Sequence, residues 1–457
     1  MGSVEKRLNV SALAQGVAWD TEIDVNGAGK GLYVKNAGAP KPNVQMLDDD
    51  QPTAWDKNLD VGNVNPSDFP LDVDYRWDGL ENLLLALFMG VAAAPEQHFK
   101  VTTSNQKIDF DEAGETPPEL TATVAAGSYT GAALATAIAA ALNAVATITL
   151  TYSCAYDSAT GKFTISATGN FTIRWNTGTH KTTDISTLTG FADAADDSGD
   201  DSYTSDIVGT GGSTVYLHSL TLAERAAGLF GSYATEKHSK VHVVPSLKVM
   251  KASFGLDSGL IKASFGVRGS QVIDDSAVVT AMSSVTIPTN AHLRAKFSQA
   301  VFRLNGQSGD ALASGDVVVA KSFGFDGERK FDAEHGSGSR VIIEPLENGR
   351  PSFKLVLDFS RMDDVNAAYF ADWIAGAEKK ADITITGPAI EGALTYQLIF
   401  EFPRLIIEDV EYADAGIIPA KVTLRAAEAD SVPTGMTGLT KPFRAYLRNT
   451  RATAYLA

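Results

Sequence analysis

The sequence predicts a mainly β protein with two related β-sandwich or barrel halves, each flanked by one helix. A small α+β domain is inserted into the first half. Three observations lead there. β-Prone runs recur along the chain, each short and bounded by Gly, Asn, Asp or Pro. Helical periodicity is confined to three segments. Several motifs appear twice, in the same order, about 157 residues apart.

The β-prone runs are Thr147–Tyr152, Lys162–Ala167, Lys240–Val244, Ser246–Met250, Val317–Val319, Ser352–Leu357, Asp382–Thr386 and Tyr396–Phe402. Their shortness and turn-rich borders suit sandwiches and barrels. Asp78–Met89 carries Leu80, Leu83, Leu84 and Leu87 at i, i+3, i+4 and i+7, the stripe of an amphipathic helix. Gly131–Ala144 is alanine-rich, with Thr130 placed to cap it. Asp363–Ala375 has Val365, Tyr369 and Trp373 at i, i+4 and i+8.

Pro245-Ser-Leu-Lys-Val249 aligns with Pro403-Arg-Leu-Ile-Ile407 at an offset of 158. Gly259-Leu-Ile-Lys-Ala263 aligns with Gly416-Ile-Ile-Pro-Ala420, and Phe265-Gly-Val-Arg268 with Val422-Thr-Leu-Arg425, both at 157. Val73-Asp-Tyr75 precedes the first helix as Leu357-Asp-Phe359 precedes the last, and the two helices close on Met89-Gly90 and Ala375-Gly376. We read this as a duplication. The first half contains more than a hundred extra residues, with strands and a helix of their own. The expected organisation is an N-terminal arm (1–30), a discontinuous first domain (31–96 and 207–287), an inserted domain (97–206), a second domain (288–430) and a basic C-terminal arm (431–457).

The length of 457 residues fits about three domains. With 44% hydrophobic residues the chain can build cores, which excludes a mainly disordered protein. A single cysteine excludes an intrachain disulfide framework and a multi-thiolate zinc site. No run reaches the ~18 apolar residues of a membrane span; Leu83–Ala94 reads as a buried helix. Glu5 and Lys6 interrupt what an export signal would make apolar, so assembly in the cytoplasm is expected. The formal charge of -17 argues against a protein that coats DNA. The inserted segment carries thirteen acidic and five basic residues, so -8 of that charge belongs to it.

No catalytic or cofactor motif emerges, and the expectation is a protein that is not an enzyme and holds no cofactor or metal. Gly27-Ala-Gly-Lys-Gly31 lacks the preceding Gly and the following Ser or Thr of a phosphate loop. Asp48–Asp50 and the run Asp193–Asp201 do not fit a calcium loop and read as solvated loops. His238 and His242 lie in or beside a strand, ~13 Å apart, too far to share a metal. Gly336-Ser-Gly-Ser339 is a turn, Gly209-Thr-Gly-Gly212 a hinge closing the insertion, and Cys154 a buried thiol. Carboxylate pairs of hydrolases are set in space, not in sequence, so a hydrolytic or lectin-like insertion stays open.

The C-terminus stands out. Residues 431–457 hold Lys441, Arg444, Arg448 and Arg451 and no acid. As a helix, Arg444, Arg448 and Arg451 would share one face. Phe443, Tyr446 and Tyr455 would be wasted in solvent. The alternatives are a frayed terminus and an arm in which Lys441, Phe443, Arg444, Tyr446, Arg448 and Arg451 grip a neighbouring, acidic copy.

Several stretches resemble bacteriophage tail tube proteins. Val244-Pro-Ser-Leu-Lys-Val249 and Gly266-Val-Arg-Gly-Ser-Gln-Val272 are similar to strands around that family's central hairpin. Phe302-Arg-Leu-Asn-Gly306 and Ala320–Arg329 are similar to the opening strands of its second part. In the insertion, Ile108–Phe110, Leu120–Val124, Gly127–Thr130 and Gly161–Ser166 resemble accessory domains of phage tail and virion proteins. The resemblance implies two tail-tube-like domains and stacked rings, either hexameric or trimeric with pseudo-sixfold symmetry. It further implies a virion tail location, other tail proteins as partners, DNA passing through without tight binding, and no membrane. A baseplate, decoration or carbohydrate-binding adhesin protein is the alternative.

Overall fold

The computed structural model describes residues 10–37, 40–47, 60–112, 119–192, 194–225, 227–237, 240–274, 276–288, 292–361, 364–412 and 420–456, without the side chains of 364–366. Asp48–Asp50, His238, most of the Gly416–Ala420 match and part of the N-terminal arm lie outside them. The chain is mainly β, in large antiparallel sheets. It opens with β1 (Val10–Gln15), β2 (Asn36–Ala37), β3 (Asn43–Leu47), β4 (Asp60–Asn65), β5 (Ser67–Asp74), α1 (Glu81–Met89) and β6 (Gly90–Ala92). The inserted segment follows with β7 (Glu96–Val101), β8 (Lys107–Glu112), β9 (Leu120–Thr123), β10 (Gly127–Tyr129), α2 (Gly131–Asn143), β11 (Tyr152–Asp157), β12 (Lys162–Ile173), α3 (Ser186–Thr189) and β13 (Asp197–Thr204). The chain returns through β14 (Gly212–Leu222), β15 (Gly231–Lys237), β16 (Lys240–Asp257), β17 (Leu260–Gly269) and β18 (Ile273–Asp274). The remainder comprises β19 (Ala300–Gly306), β20 (Val317–Val318), β21 (Ser322–Glu328), β22 (Phe331–Asp332), β23 (Leu346–Glu347), β24 (Ser352–Phe359), α4 (Asp364–Ala375), β25 (Glu378–Glu391), β26 (Leu394–Tyr412), β27 (Ala420–Ala426) and β28 (Arg444–Asn449).

The same strand order occurs twice. In the first half, pairing runs β1-β15-β16-β17-β5-β2. In the second it runs β19-β25-β26-β27-β24-β21. Each long strand, β16 or β26, pairs first with the strand before it and then with the strand after it. The irregularities recur too. Register shifts fall between Gly231 and Tyr233 against β16 and between Lys379 and Ala381 against β26. A second pair falls at Val249/Lys251 and Ile407/Asp409. The duplicated prolines explain the first pair. Pro245 and Pro403 sit in the bulged stretch, where a residue without an N–H costs the ladder nothing. One expected match is displaced: Phe265 faces Leu71 and its counterpart Val422 faces Leu357, so pairing equates Leu357 with Leu71 rather than Val73.

The two halves share one hydrophobic core, from Leu13 to Leu456, instead of a core each. Its centre is aromatic: Phe254 packs on Phe400 at 5.0 Å, and Phe325 on Phe443 at 4.9 Å. The cause is strand pairing across the halves, since β21 also hydrogen-bonds to β16, from Lys251↔Glu328 to Gly255↔Gly324. The helices differ in their cover. All of α1 is buried, whereas α4 exposes Phe370 and Ile374.

The insertion builds its own sheet, β11-β12-β8-β9 with β13 on β12, and its own core around Phe110, Ile138, Phe163, Phe171 and Trp175. Thr130 caps α2 by accepting from the Ala133 amide at 3.3 Å. Two expectations fail here. The run Thr147–Thr151 is a loop, because Glu112 takes its polar groups, the amides of Thr149 and Leu150 and the Thr149 hydroxyl. The acidic run expected as a loop forms β13 from Asp197 onward. It lies on one edge of β12, with Asp200 and Asp201 exposed, Asp197 accepting from the Trp175 indole at 3.0 Å, and hydroxyl pairs such as Ser166–Ser202 at 2.7 Å across the ladder.

Candidate assembly interface

The C-terminal segment is neither a helix nor a free arm. β28 lies between β14 and β26, with Leu217↔Arg448 on one side and Leu398↔Leu447 on the other. Its odd-numbered residues, Ala445, Leu447 and Asn449, are buried, a period of two that a strand between two others requires. Phe443 is fully buried against Phe325, Phe353 and Phe402. Arg444 donates to Glu401 across the ladder at 2.5 Å and stacks over Tyr446. Arg448 donates to the Thr395 carbonyl at 2.7 Å, and Arg451 to the Thr453 carbonyl at 3.1 Å. Lys441, near the surface, meets Glu224 and Glu428. At the end of the strand Asn449 donates to the Trp77 carbonyl, and the Thr450 amide beyond it donates to Asp78, both just before α1. Of the six residues expected to grip a neighbour, Phe443, Arg444 and Arg448 meet second-half partners. Tyr446 lies under the Arg444 guanidinium, Arg451 bonds within its own turn and Lys441 links Glu224 to Glu428. The backbone of β28 joins the two halves.

The junction between halves is more elaborate than strand pairing. Residues 329–351, between β21 and β24, form an arm that clasps the first half. Arg329 is buried. It pairs with Glu347 at 2.8 Å and donates to the carbonyls of Ala223 and Met89, the last residue of α1. A guanidinium there also suits the negative end of the helix dipole. Gly327 has no side chain for a packing reason: a Cβ would stand 2.7 Å from the Phe88 ring of α1. Lys248, buried in β16, reaches Glu344 of the arm at 2.6 Å; burial lowers its affinity for a proton and Glu344 opposes that. Farther along, Trp19 donates to the Ile342 carbonyl, Arg268 to that of Phe331, and Arg340 to that of Gly62. Sequence reasoning missed this arm because its polar partners are far apart in the chain.

Other candidates are local. Asp109, Glu119 and His180 bring ligand atoms within 4.8 Å of one another. Asp109 accepts from the His180 amide, the His180 ring and Thr121. Burial opposes its ionisation, but these donors outweigh burial and hold the carboxyl below its usual range. The Thr179 amide likewise serves Glu119. The group could accept a divalent cation, yet in this arrangement it ties the 176–183 loop to β8. Cys154 is half-buried, and burial pushes its thiol up to about 12, which leaves little thiolate. The insertion joins the main sheet through β7, which pairs with β14, and a cleft of about 900 Å³ lies beside that junction, lined by Glu96, Tyr156, Tyr216, Glu401, Tyr446 and Arg448 among others. No described helix is long and apolar enough to cross a membrane.

No protein-family profile matches the chain, and no curated protein matches it. Among solved structures, one described as "Crystal structure of Hcp protein" is similar to 27% of this chain and 86% of that chain, at 13% identity and a TM-score of 0.18. At that score the two backbones share no overall superposition, so the fold description rests on the strand pairing set out above.

Proposed function

We propose that this chain is the ring-forming subunit of a tube, the major tail tube protein of a long-tailed phage or related particle. The observation that carries the reading is one strand order used twice, with the two copies joined by β21 on β16. A chain that contains two such units and one such junction is a third of a pseudo-sixfold ring. Head-to-tail contacts that close by rotation give rings, and stacked rings give a tube. Closure also removes free strand edges, which an isolated subunit leaves open. The motif resemblance to tail tube proteins supports the same reading. An acidic subunit suits a lumen through which DNA slides, since negative charge repels phosphate. The insertion, with its own core and much of the charge, would decorate the ring, and other tail proteins would cap the tube.

Negative-stain microscopy and sedimentation of the purified full chain test this. Rings or short tubes are expected, and a strictly monomeric species at high concentration contradicts it. The cleft beside the insertion favours a second reading, a carbohydrate-binding virion or surface protein, because Tyr156, Tyr216 and Tyr446 offer aromatic faces to a sugar. Glycan-array binding by the full chain supports that reading, and silence there removes it.

A further inference from the structure

The hairpin of β3 and β4 is an unusual piece of surface. Met46 is 56% exposed, Val61 53%, and Val44 and Leu47 are exposed as well. Apolar side chains clustered on an exposed two-stranded ribbon are what a protein surface normally avoids. The hairpin has a counterpart. It connects β2 to β5 as the 329–351 arm connects β21 to β24, and β2–β5 is the equivalent of β21–β24. The arm has a dock, because it lies across the first half of its own chain. The hairpin is held at Gly62 and Val64 by the middle of that arm, where Val64 bridges Val341, Arg340 donates to the Gly62 carbonyl and His335 to that of Val64, and this leaves Val44, Met46 and Val61 exposed.

The surface that the arm covers also has a counterpart, and among the described residues no strand pairs with its edge. On the first half, β21 and the arm cover the edge of β16 at Lys251–Gly255 and the Phe88 ring. The corresponding edge of β26 begins at Asp409. Among the described residues, Asp409–Tyr412 pair with β27 on one side and with no strand on the other. Counting back from the glycines that end the helices, Gly90 and Gly376, Phe88 corresponds to Ile374. Phe88 is fully buried; Ile374 is 75% exposed. The chemistry changes in step on both sides. Lys248, which receives Glu344 from the arm, corresponds to Ile406, and the hairpin offers Val44, Met46 and Val61 where the arm offers a carboxylate.

We propose that the β3–β4 hairpin of one copy docks on the second half of another copy, over Ile374 of α4, Ile406 and the free edge of β26 from Asp409. The contact repeats between chains the junction that each chain already contains. It joins unlike surfaces, so it propagates head to tail and every copy uses both. This rests on the ring reading above and names the surface that would close the ring.

The experiment uses two full-length variants, M46D/V61D on the hairpin and I374D on the helix. All three sites are exposed, so thermal melts should match the wild type. Light scattering and sedimentation then read assembly. The wild type should assemble, and each variant alone should stay monomeric. An equimolar mixture should give heterodimers and stop there, because only the hairpin of I374D and the helix face of M46D/V61D remain intact. Assembly of either variant at the wild-type level overturns the proposed surface and leaves the ring reading standing. A mixture that stays monomeric overturns the pairing of these two surfaces. A wild type that remains monomeric removes the ring reading and this surface together.

Discussion

Glu81 shows how a single residue couples the fold to pH. Its carboxyl is buried at the start of α1 and accepts from the Arg76 amide. Burial raises it to about 7, from an ordinary value near 4.5. The folded state therefore holds a proton that the unfolded state releases. This contribution is full below pH 4.5 and is lost as pH rises through 7. Glu81→Gln should thus be more stable than wild type at pH 8, by up to about 3 kcal/mol, and should gain little at pH 4. Urea melts at the two values check the sign. His218 acts in the opposite direction: burial lowers it to about 4, and its Nε2 donates to the Arg451 carbonyl, so acid should loosen the C-terminal turn. Arg444 and Glu401 form a largely buried pair. Glu401→Leu alone should cost about 3 kcal/mol, whereas E401L/R444M should recover most of that, because an unpaired buried charge costs more than the pair contributes. A double-mutant cycle in denaturant measures the difference. The aromatic signal at Phe443 was legible in the sequence, since such a ring needs cover. Which surface covers it was not, because Phe325, Phe353 and Phe402 lie in other strands.

At the scale of elements, the C-terminal strand is a structural member. Removing Pro433–Ala457 takes β28 from between β14 and β26 and opens the shared core at Phe443 and Leu447. The truncated chain should fail to fold, seen as insoluble expression or loss of a cooperative melt. A soluble, folded truncation that only stacks poorly would restore the free-arm reading. The sequence contained two periods here. Arg444, Arg448 and Arg451 match a helix, while buried Ala445 and Leu447 alternating with Tyr446 and Arg448 match a strand. Charge drew attention to the first; the six-residue length and burial on both edges decide for the second. The helices α1, α2 and α4 were readable because long periodic apolar patterns have few alternatives. The repeat was readable because a proline in a bulge leaves a local mark. The junction arm was not, because Lys248 and Glu344 meet across 96 residues and Arg329 meets the Ala223 carbonyl across 106.

At the scale of the whole molecule, the duplicated strand order and the single core are two views of one fact. The second half is built onto the first by the contact that a ring would use again. This accounts for an asymmetry that composition hides: α1 is wholly buried whereas α4 leaves Phe370 and Ile374 exposed, and the β3–β4 hairpin keeps Met46 and Val61 exposed although the 329–351 arm touches it at Gly62 and Val64. The charge divides similarly, with -8 of -17 in the inserted segment, so that a lumen need carry only part of it. Averaged end-on views of the assembled chain test the account most directly. It predicts threefold symmetry with six lobes, alternately with and without the density of the inserted domain. Rings with one lobe per chain, or particles with no closed symmetry, would contradict it.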